Sequence, residues 1–360
     1  MTNTDISSRQ QQLHEWVQHV FDTENFILES LPGDASSRRY HRIQVTDTIA
    51  NTVVSYIVMD AIDEQEAMQQ FIDVATLMQS AVNVPTIIAK DLNNGFLILQ
   101  DFGTVEFAHL LIGASPAQVD SHYQLAMQTL IGLQKLEIKA ESEHECLPYY
   151  DKASLDREMD LFSDWFIPHI GVELNKALWE NLKAALVKEI LAQPQVVVHR
   201  DYHSRNLMQD QTDTASLGVI DFQDAVIGAY SYDLVSLVRD AYVEWPEQQV
   251  SRWIQDFWHL QQQAGLATVN SAEQFENDVN VMGVQRHLKV LGIFIRLFER
   301  DGKGRYLADI PKVMRDMIFE LEWLGAQGSD SMRQAVLPFN EWLIDMILPA
   351  YQRKFVQQYI

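Results

Sequence analysis

Three oxygen-bearing side chains stand at a spacing that suits one kind of chemistry: Asp201, Asn206 five positions later and Asp221 twenty positions later. They lie in His199-Arg200-Asp201-Tyr202-His203-Ser204-Arg205-Asn206-Leu207 and Ile220-Asp221-Phe222-Gln223-Asp224. Apolar runs lead into both halves, Val196-Val197-Val198 and Leu217-Gly218-Val219-Ile220. Phosphoryl transfer from a nucleotide needs a carboxylate to accept the proton of an attacking hydroxyl, and oxygen ligands to hold magnesium against the phosphates. Asp201 is expected to be the base, with Asn206 and Asp221 as metal ligands. Hard carboxylate and amide oxygens suit magnesium. Asp and Asn also cap turns, but capping does not require this order and spacing.

Two kinds of element must position these groups. In the first hundred residues the patterns are strand-like at 26–28, 40–45 and 53–59, the last rich in β-branched residues. A helix is expected over 64–81, with Met68, Phe71, Ile72, Ala75 and Met78 on one stripe. Residues 86–88 and 96–99 read as a hairpin turned by Asn94-Gly95. An amphipathic helix over 5–21 precedes them, carrying Leu13, Trp16, Val17 and Val20 on one face. After Asp101-Phe102-Gly103 the period changes to that of long helices, at 117–139, 154–167, 174–191, 232–242, 248–264, 272–300 and 311–324. The expectation is an α+β fold in two lobes, a small antiparallel-sheet lobe over 1–101 and a mostly helical lobe over 102–360.

Composition sets outer bounds. The hydrophobic fraction of 47% supports a large buried core and argues against disorder. The net charge of −23 repels nucleic acid and anionic membranes at long range. Neither is an expected partner. Cys146 is the single cysteine, which precludes an internal disulfide and fits a reducing, cytoplasmic compartment. The polar start Met1-Thr2-Asn3-Thr4-Asp5 shows no secretory pattern, and the run Val290-Leu291-Gly292-Ile293-Phe294-Ile295 is too short to span a bilayer. A monomer acting on a small molecule is expected.

The chain resembles the kinase-like phosphotransferases, the superfamily that includes the aminoglycoside and choline kinases, over nearly its whole length. It is closer to the branch of cell-wall sugar kinases that phosphorylate the anomeric hydroxyl of N-acetylmuramate and N-acetylglucosamine. The residues that carry this are Gly33-Asp34-Ala35-Ser36-Ser37-Arg38-Arg39-Tyr40, Val58-Met59-Asp60-Ala61, the 199–207 string, Asp221-Phe222-Gln223-Asp224-Ala225, Tyr232-Asp233-Leu234-Val235-Ser236-Leu237 and Arg300-Asp301-Gly302-Lys303. The resemblance implies a two-lobed protein-kinase-like fold, ATP and Mg2+ as cofactors, and a role in peptidoglycan recycling with an amino sugar as acceptor. It implies that the first lobe binds nucleotide and that backbone near Gln100 and Phe102 reads the base. It also implies that Asp233 braces the catalytic loop.

Other assignments rest on residue chemistry. Ser36 and Ser37 are small enough to approach phosphate, and Arg38 and Arg39 could add positive charge, although an ordinary hairpin turn would look the same. The strand 53–59 has no Lys of the kind many kinases use to hold phosphates. An Arg from the preceding hairpin, Arg38, Arg39 or Arg42, is expected in its place, with Glu64, Glu66 or Asp73 as partner. His199 reads as structural support. His203 and Arg205 stand nearer an acceptor, and Arg205 suggests an anionic group. Glu158 and Trp165, seven apart on one helix, could hold a sugar between carboxylate and ring, or Trp165 could be core. Arg286, Lys289, Arg296 and Arg300 fall on roughly one helical face, which is either an anion site or a solvated surface. Two other readings remain: a different hydroxyl acceptor, such as an aminoglycoside or choline-like amine, and nucleotide binding without catalysis.

Overall fold

The computed structural model describes residues 3–32, 38–47, 52–61, 64–138 and 147–356. Ser36, Ser37 and Cys146 lie outside them. The chain forms two compact units, Met1–Glu106 with Leu207–Gln223, and Phe107–Asn206 with Asp224–Ile360.

In the first unit an antiparallel sheet of five strands runs in the order β1-β2-β3-β5-β4, with β1 at Phe26–Ser30, β2 at Arg39–Asp47, β3 at Thr52–Asp60, β4 at Ile87–Asp91 and β5 at Phe96–Gln100. Central β5 buries Phe96, Leu97, Ile98 and Leu99 in succession, because both of its faces are covered. Helix α1 (Asn3–Phe21) lays Leu13 and Val17 on Ile43, Val58, Phe96 and Ile98. Helix α2 (Gln65–Met78) buries Met68, Phe71, Ile72, Ala75 and Met78, the stripe read from its period.

A division of the chain at 101/102 leaves 207–223 with the later residues; in the structure that segment packs with the first. Strands β7 (Leu207–Gln209) and β8 (Leu217–Val219) form a hairpin, β6 being Gln195–Val198 in the second unit. The Val219 N–H donates to the Asn83 carbonyl at 2.8 Å, and Asn83 Nδ2 donates to Asp210 Oδ2 at 2.9 Å. Gly218 lies against the Phe102 ring so closely that a Cβ there would fall 2.3 Å from it. These are local contacts between residues far apart in sequence, which period alone does not reveal.

The second unit is built around a long buried helix. In chain order its helices are α3 (Phe107–Leu111), α4 (Pro116–Gln134), α5 (Lys152–Leu161), α6 (Ile167–His169), α7 (Lys176–Ala192), α8 (Tyr232–Val238), α9 (Glu247–Gln263), α10 (Ala272–Asp301), α11 (Ile310–Gln327), α12 (Asp330–Trp342) and α13 (Leu348–Tyr351). Ser271 caps the start of α10, accepting the Gln274 N–H, and Gly302 ends it at φ 69°. Helices α5, α7, α8, α9 and α11 all pack on α10. Gly292 allows a close approach, since a Cβ there would meet the Leu161 backbone at 2.2 Å. Strand β6 pairs antiparallel with β9 (Val226–Ala229). The helices after residue 328 escape a sequence reading, in part because Pro338 stands inside α12.

No helix among the described residues is long and apolar enough to cross a membrane.

Candidate active site

In the second unit, β6 delivers the chain into loop 199–206, and α8 holds that loop from below. The buried Asp233 carboxylate accepts the N–H of His199 at 2.7 Å and of Arg200 at 2.9 Å. Burial pushes the Asp233 carboxyl up to about 7 despite those two donors. Arg200 takes a left-handed backbone, φ 76°, which an L side chain adopts only where the surroundings enforce it. Farther along, Asp240 Oδ2 accepts the Ser204 N–H at 2.9 Å, and the Tyr202 hydroxyl donates to the Ala126 carbonyl at 2.8 Å. Inside the loop, the Asp201 carbonyl accepts the His203 N–H at 3.1 Å and Asn206 Nδ2 at 2.9 Å. That last bond fixes the orientation of the Asn206 amide.

Asp201 is partly exposed. Burial opposes its charge, but Lys289, His203, Arg286 and His199 together hold its carboxyl below the usual carboxylate range. His199 itself is buried, and its Nδ1 accepts the Asp201 N–H at 3.2 Å. A half-buried carboxylate held below its usual range on a braced loop can orient a hydroxyl and take its proton.

Glu158 holds the loop from the side. Its carboxylate accepts from the Arg200 guanidinium and the Tyr150 hydroxyl, and Lys289 Nζ lies 3.1 Å away. Lys289 also donates to the Tyr232 hydroxyl at 3.0 Å. Burial works against the Glu158 charge, and Lys289 and Arg200 outweigh it. Glu158 is therefore held by Arg200, Tyr150 and Lys289 together. A π-helical turn over Phe162–Phe166, which contains Trp165, interrupts the 3.6 period on which the shared face of Glu158 and Trp165 was expected.

His203 and Arg205 flank Tyr242. The Arg205 guanidinium sits 3.4 Å over the Tyr242 ring, and the His203 ring meets the same ring edge-on at 5.4 Å. The basic residues of α10 do not form one cluster. Arg300 turns to its neighbour Asp301, whereas Arg286 and Lys289 face the Asp201 region.

The first unit carries the remaining candidates. Arg38 Nε donates to Glu64 Oε2 at 2.9 Å. Glu64 was one of three possible partners, and distance selects it; Asp73 instead accepts from Gln69. Arg42 is committed elsewhere, donating to both Asp101 oxygens, at 2.7 and 3.1 Å, and to the Gly103 carbonyl at 3.0 Å. Arg39 is exposed. Tyr40 feels Arg38, Asp221 and Glu64 together, which gathers these charges in one place. Asp221 is exposed at φ 64°, a second left-handed non-glycine residue. Its carboxylate accepts from Gln223 Nε2 at 2.8 Å, while Phe222 is buried beside Phe71 of α2, ring centroids 4.8 Å apart.

Gln100 and Phe102 have local partners. The Gln100 N–H donates to the Thr86 carbonyl at 2.8 Å, and the Phe102 carbonyl accepts the Gln211 N–H at 3.3 Å. The Phe102 side chain is core.

Two of the residues that now stand out near Asp201, Arg286 and Lys289, were visible in sequence only as bases on a helix. Asp240, Tyr150 and Tyr242 gave no signal, because their roles arise from contacts with distant segments.

A small antiparallel sheet with two helices, a mostly helical second unit and a braced Asp-containing loop define a kinase-like phosphotransferase fold. The model of the phosphotransferase enzyme family matches residues 27–269, and the chain belongs to that family. An N-acetylmuramate/N-acetylglucosamine kinase of Pseudomonas aeruginosa is 42% identical over 288 residues, 79% of this chain and 80% of that protein. A kinase of the same description from Neisseria meningitidis is 37% identical over 310 residues, 85% of this chain and 89% of that one. Among solved structures, the ADP-bound aminoglycoside phosphotransferase APH(2'')-Ib shares the fold with a TM-score of 0.56 at 12% identity, covering 84% of this chain and 97% of its own.

Proposed function

We propose that this protein is an ATP-dependent kinase of N-acetylmuramate and N-acetylglucosamine that phosphorylates the anomeric C1 hydroxyl, in peptidoglycan recycling. The observation that carries the chemistry is Asp201, held below the usual carboxylate range on a loop braced by Asp233 and Asp240. The acceptor follows from relatives of that description at 42% and 37% identity.

The C1 oxygen attacks the γ-phosphorus, the bond to the β-phosphate oxygen breaks, ADP leaves, and the hydroxyl proton passes to Asp201. An anomeric hydroxyl is more acidic than an ordinary alcohol, so the base acts late. Most of the acceleration then comes from positioning and charge neutralisation. Arg38, oriented by Glu64, is proposed as the cation that takes the place of the missing strand Lys. Arg39 stands next to it, and Ser36 and Ser37 precede both in the sequence. His203 and Arg205 are proposed on the acceptor side.

Asn206 and Asp221 are each proposed as a magnesium ligand, and the residues present fit that ion. One offers an amide oxygen and the other an exposed carboxylate. Among the described residues no group of three or more His, Cys, Asp or Glu could hold a metal alone. Magnesium would draw its other ligands from phosphate and water, its usual habit, and when bound it neutralises charge on the phosphates. Cytoplasmic location and a monomeric state are part of the same proposal.

The test is a panel of amino sugars, aminoglycosides and choline with ATP and magnesium, the products resolved by phosphorus NMR. A C1 phosphate on either sugar is expected. Phosphorylation of an aminoglycoside or choline with neither sugar accepted would overturn the acceptor while keeping the kinase.

A further inference from the structure

Arg286 of α10 is 6% exposed, and its Nε donates to the Ser236 hydroxyl at 2.6 Å. A buried guanidinium ordinarily finds a carboxylate, because leaving it with a neutral partner forfeits much of its hydration. The other bases of this region have done so. Lys289 and Arg200 share Glu158, and Arg239 pairs with Glu247 at 2.9 Å and Glu320 at 3.1 Å. Arg286 forms no ion pair among the described residues. It still lies close enough to Asp201, Asp233 and Tyr242 to act on the charge of each. Its neighbour Tyr242 is the ring that carries Arg205.

We infer that Arg286 is a specificity-determining residue that receives the carboxylate of an acidic acceptor, the lactyl ether group by which N-acetylmuramate differs from N-acetylglucosamine. This rests on the sugar-kinase reading and adds to it. Ser236 holds Nε, and the two terminal nitrogens of a guanidinium form the fork that suits a carboxylate. Arg286 stands beside the base that takes the acceptor's proton, whereas the proposed phosphate cation, Arg38, belongs to the first unit. Arg205, exposed on its ring, is a secondary contact.

The experiment compares kcat/KM for N-acetylmuramate, its methyl ester and N-acetylglucosamine, in the wild type, Arg286→Gln and Arg286→Lys. The wild type is expected to prefer the acid over the ester by about tenfold or more, the scale of one lost charge-assisted hydrogen bond. In Arg286→Gln the acid should fall to the level of the ester, with Arg286→Lys in between. A wild type indifferent to esterification overturns the inference whether or not the variants fold. An acid-to-ester ratio that persists in Arg286→Gln, or equal losses on all three sugars, also overturns it and makes Arg286 a support for Asp201 or a phosphate contact. Turnover of neither sugar by the wild type overturns the acceptor assignment itself, a result distinct from sugar turnover without acid preference.

Discussion

The two units handle charge in different ways. In the first, ion pairs join Arg9 to Asp60, Arg38 to Glu64 and Arg42 to Asp101. In the second, Glu158 gathers Arg200, Lys289 and the Tyr150 hydroxyl into one buried network around the loop that carries Asp201. A partly exposed pair such as Arg38–Glu64, at 12% and 25%, contributes little to stability and is cheaply opened. A buried network resists opening, because removing one member strands the others without solvent. The first arrangement suits the capture of an arriving anion. The second suits a base whose direction must not change.

The largest effect expected is on Asp221. Asp221→Ala should remove magnesium-dependent turnover, by about three decades or more, since it withdraws a full charge from the ion. Asn206→Ala withdraws only a dipole, and excess magnesium should restore part of its rate. A titration of turnover against magnesium checks both. An Asp221→Ala enzyme active at ordinary magnesium would remove this residue from the metal site.

The contrast between pair and network can be broken directly by urea unfolding. Glu158→Gln should cost about 3 kcal/mol, the lower range for stranding buried charge, and Glu64→Gln under ~1 kcal/mol. Equal costs would mean that the two regions do not differ in the way described. Arg38→Ala should then raise the apparent KM for ATP by about tenfold, on the scale of one charge-assisted contact, and leave the sugar KM nearly as it was. A normal KM for ATP would move the phosphate cation elsewhere.

The pH profile gives the finest test. Asp201 is held below the usual carboxylate range, with Lys289 the largest of the cations opposing its burial. A base must be deprotonated to act, so its own titration should not limit the rate until the medium is more acidic than an ordinary carboxyl requires. Lys289→Met removes one of those cations and should raise the Asp201 pKa, moving the acidic limb of kcat/KM to higher pH. An unmoved limb would separate Lys289 from the base.

How far all this was legible in the sequence depends on where each feature keeps its partners. The stripe of α2 and the β-branched run of β3 are properties of neighbouring residues, so the local sequence suffices to find them. The loop 199–206 was readable as chemistry because base, amide and turn residues sit within a few positions of one another. Which hairpin Arg would find Glu64 was not, because Arg38 and Glu64 are 26 residues apart and three candidates looked alike. The π-helical turn at Phe162–Phe166 departs from the regular 3.6 period that a sequence reading assumes. The network on Glu158 joins residues 150, 158, 200 and 289, and only folding brings those together.

The most direct test of the account is Asp201→Asn. The side chain keeps its size and loses the capacity to accept a proton, so loop 199–206 should stay in place and ATP should bind as in the wild type. Single-turnover measurement with N-acetylmuramate should then show phosphoryl transfer slowed by about two to four decades, the range of general-base assistance. A loss of only a few-fold, with ATP binding and folding intact, would contradict the assignment of Asp201 as the base.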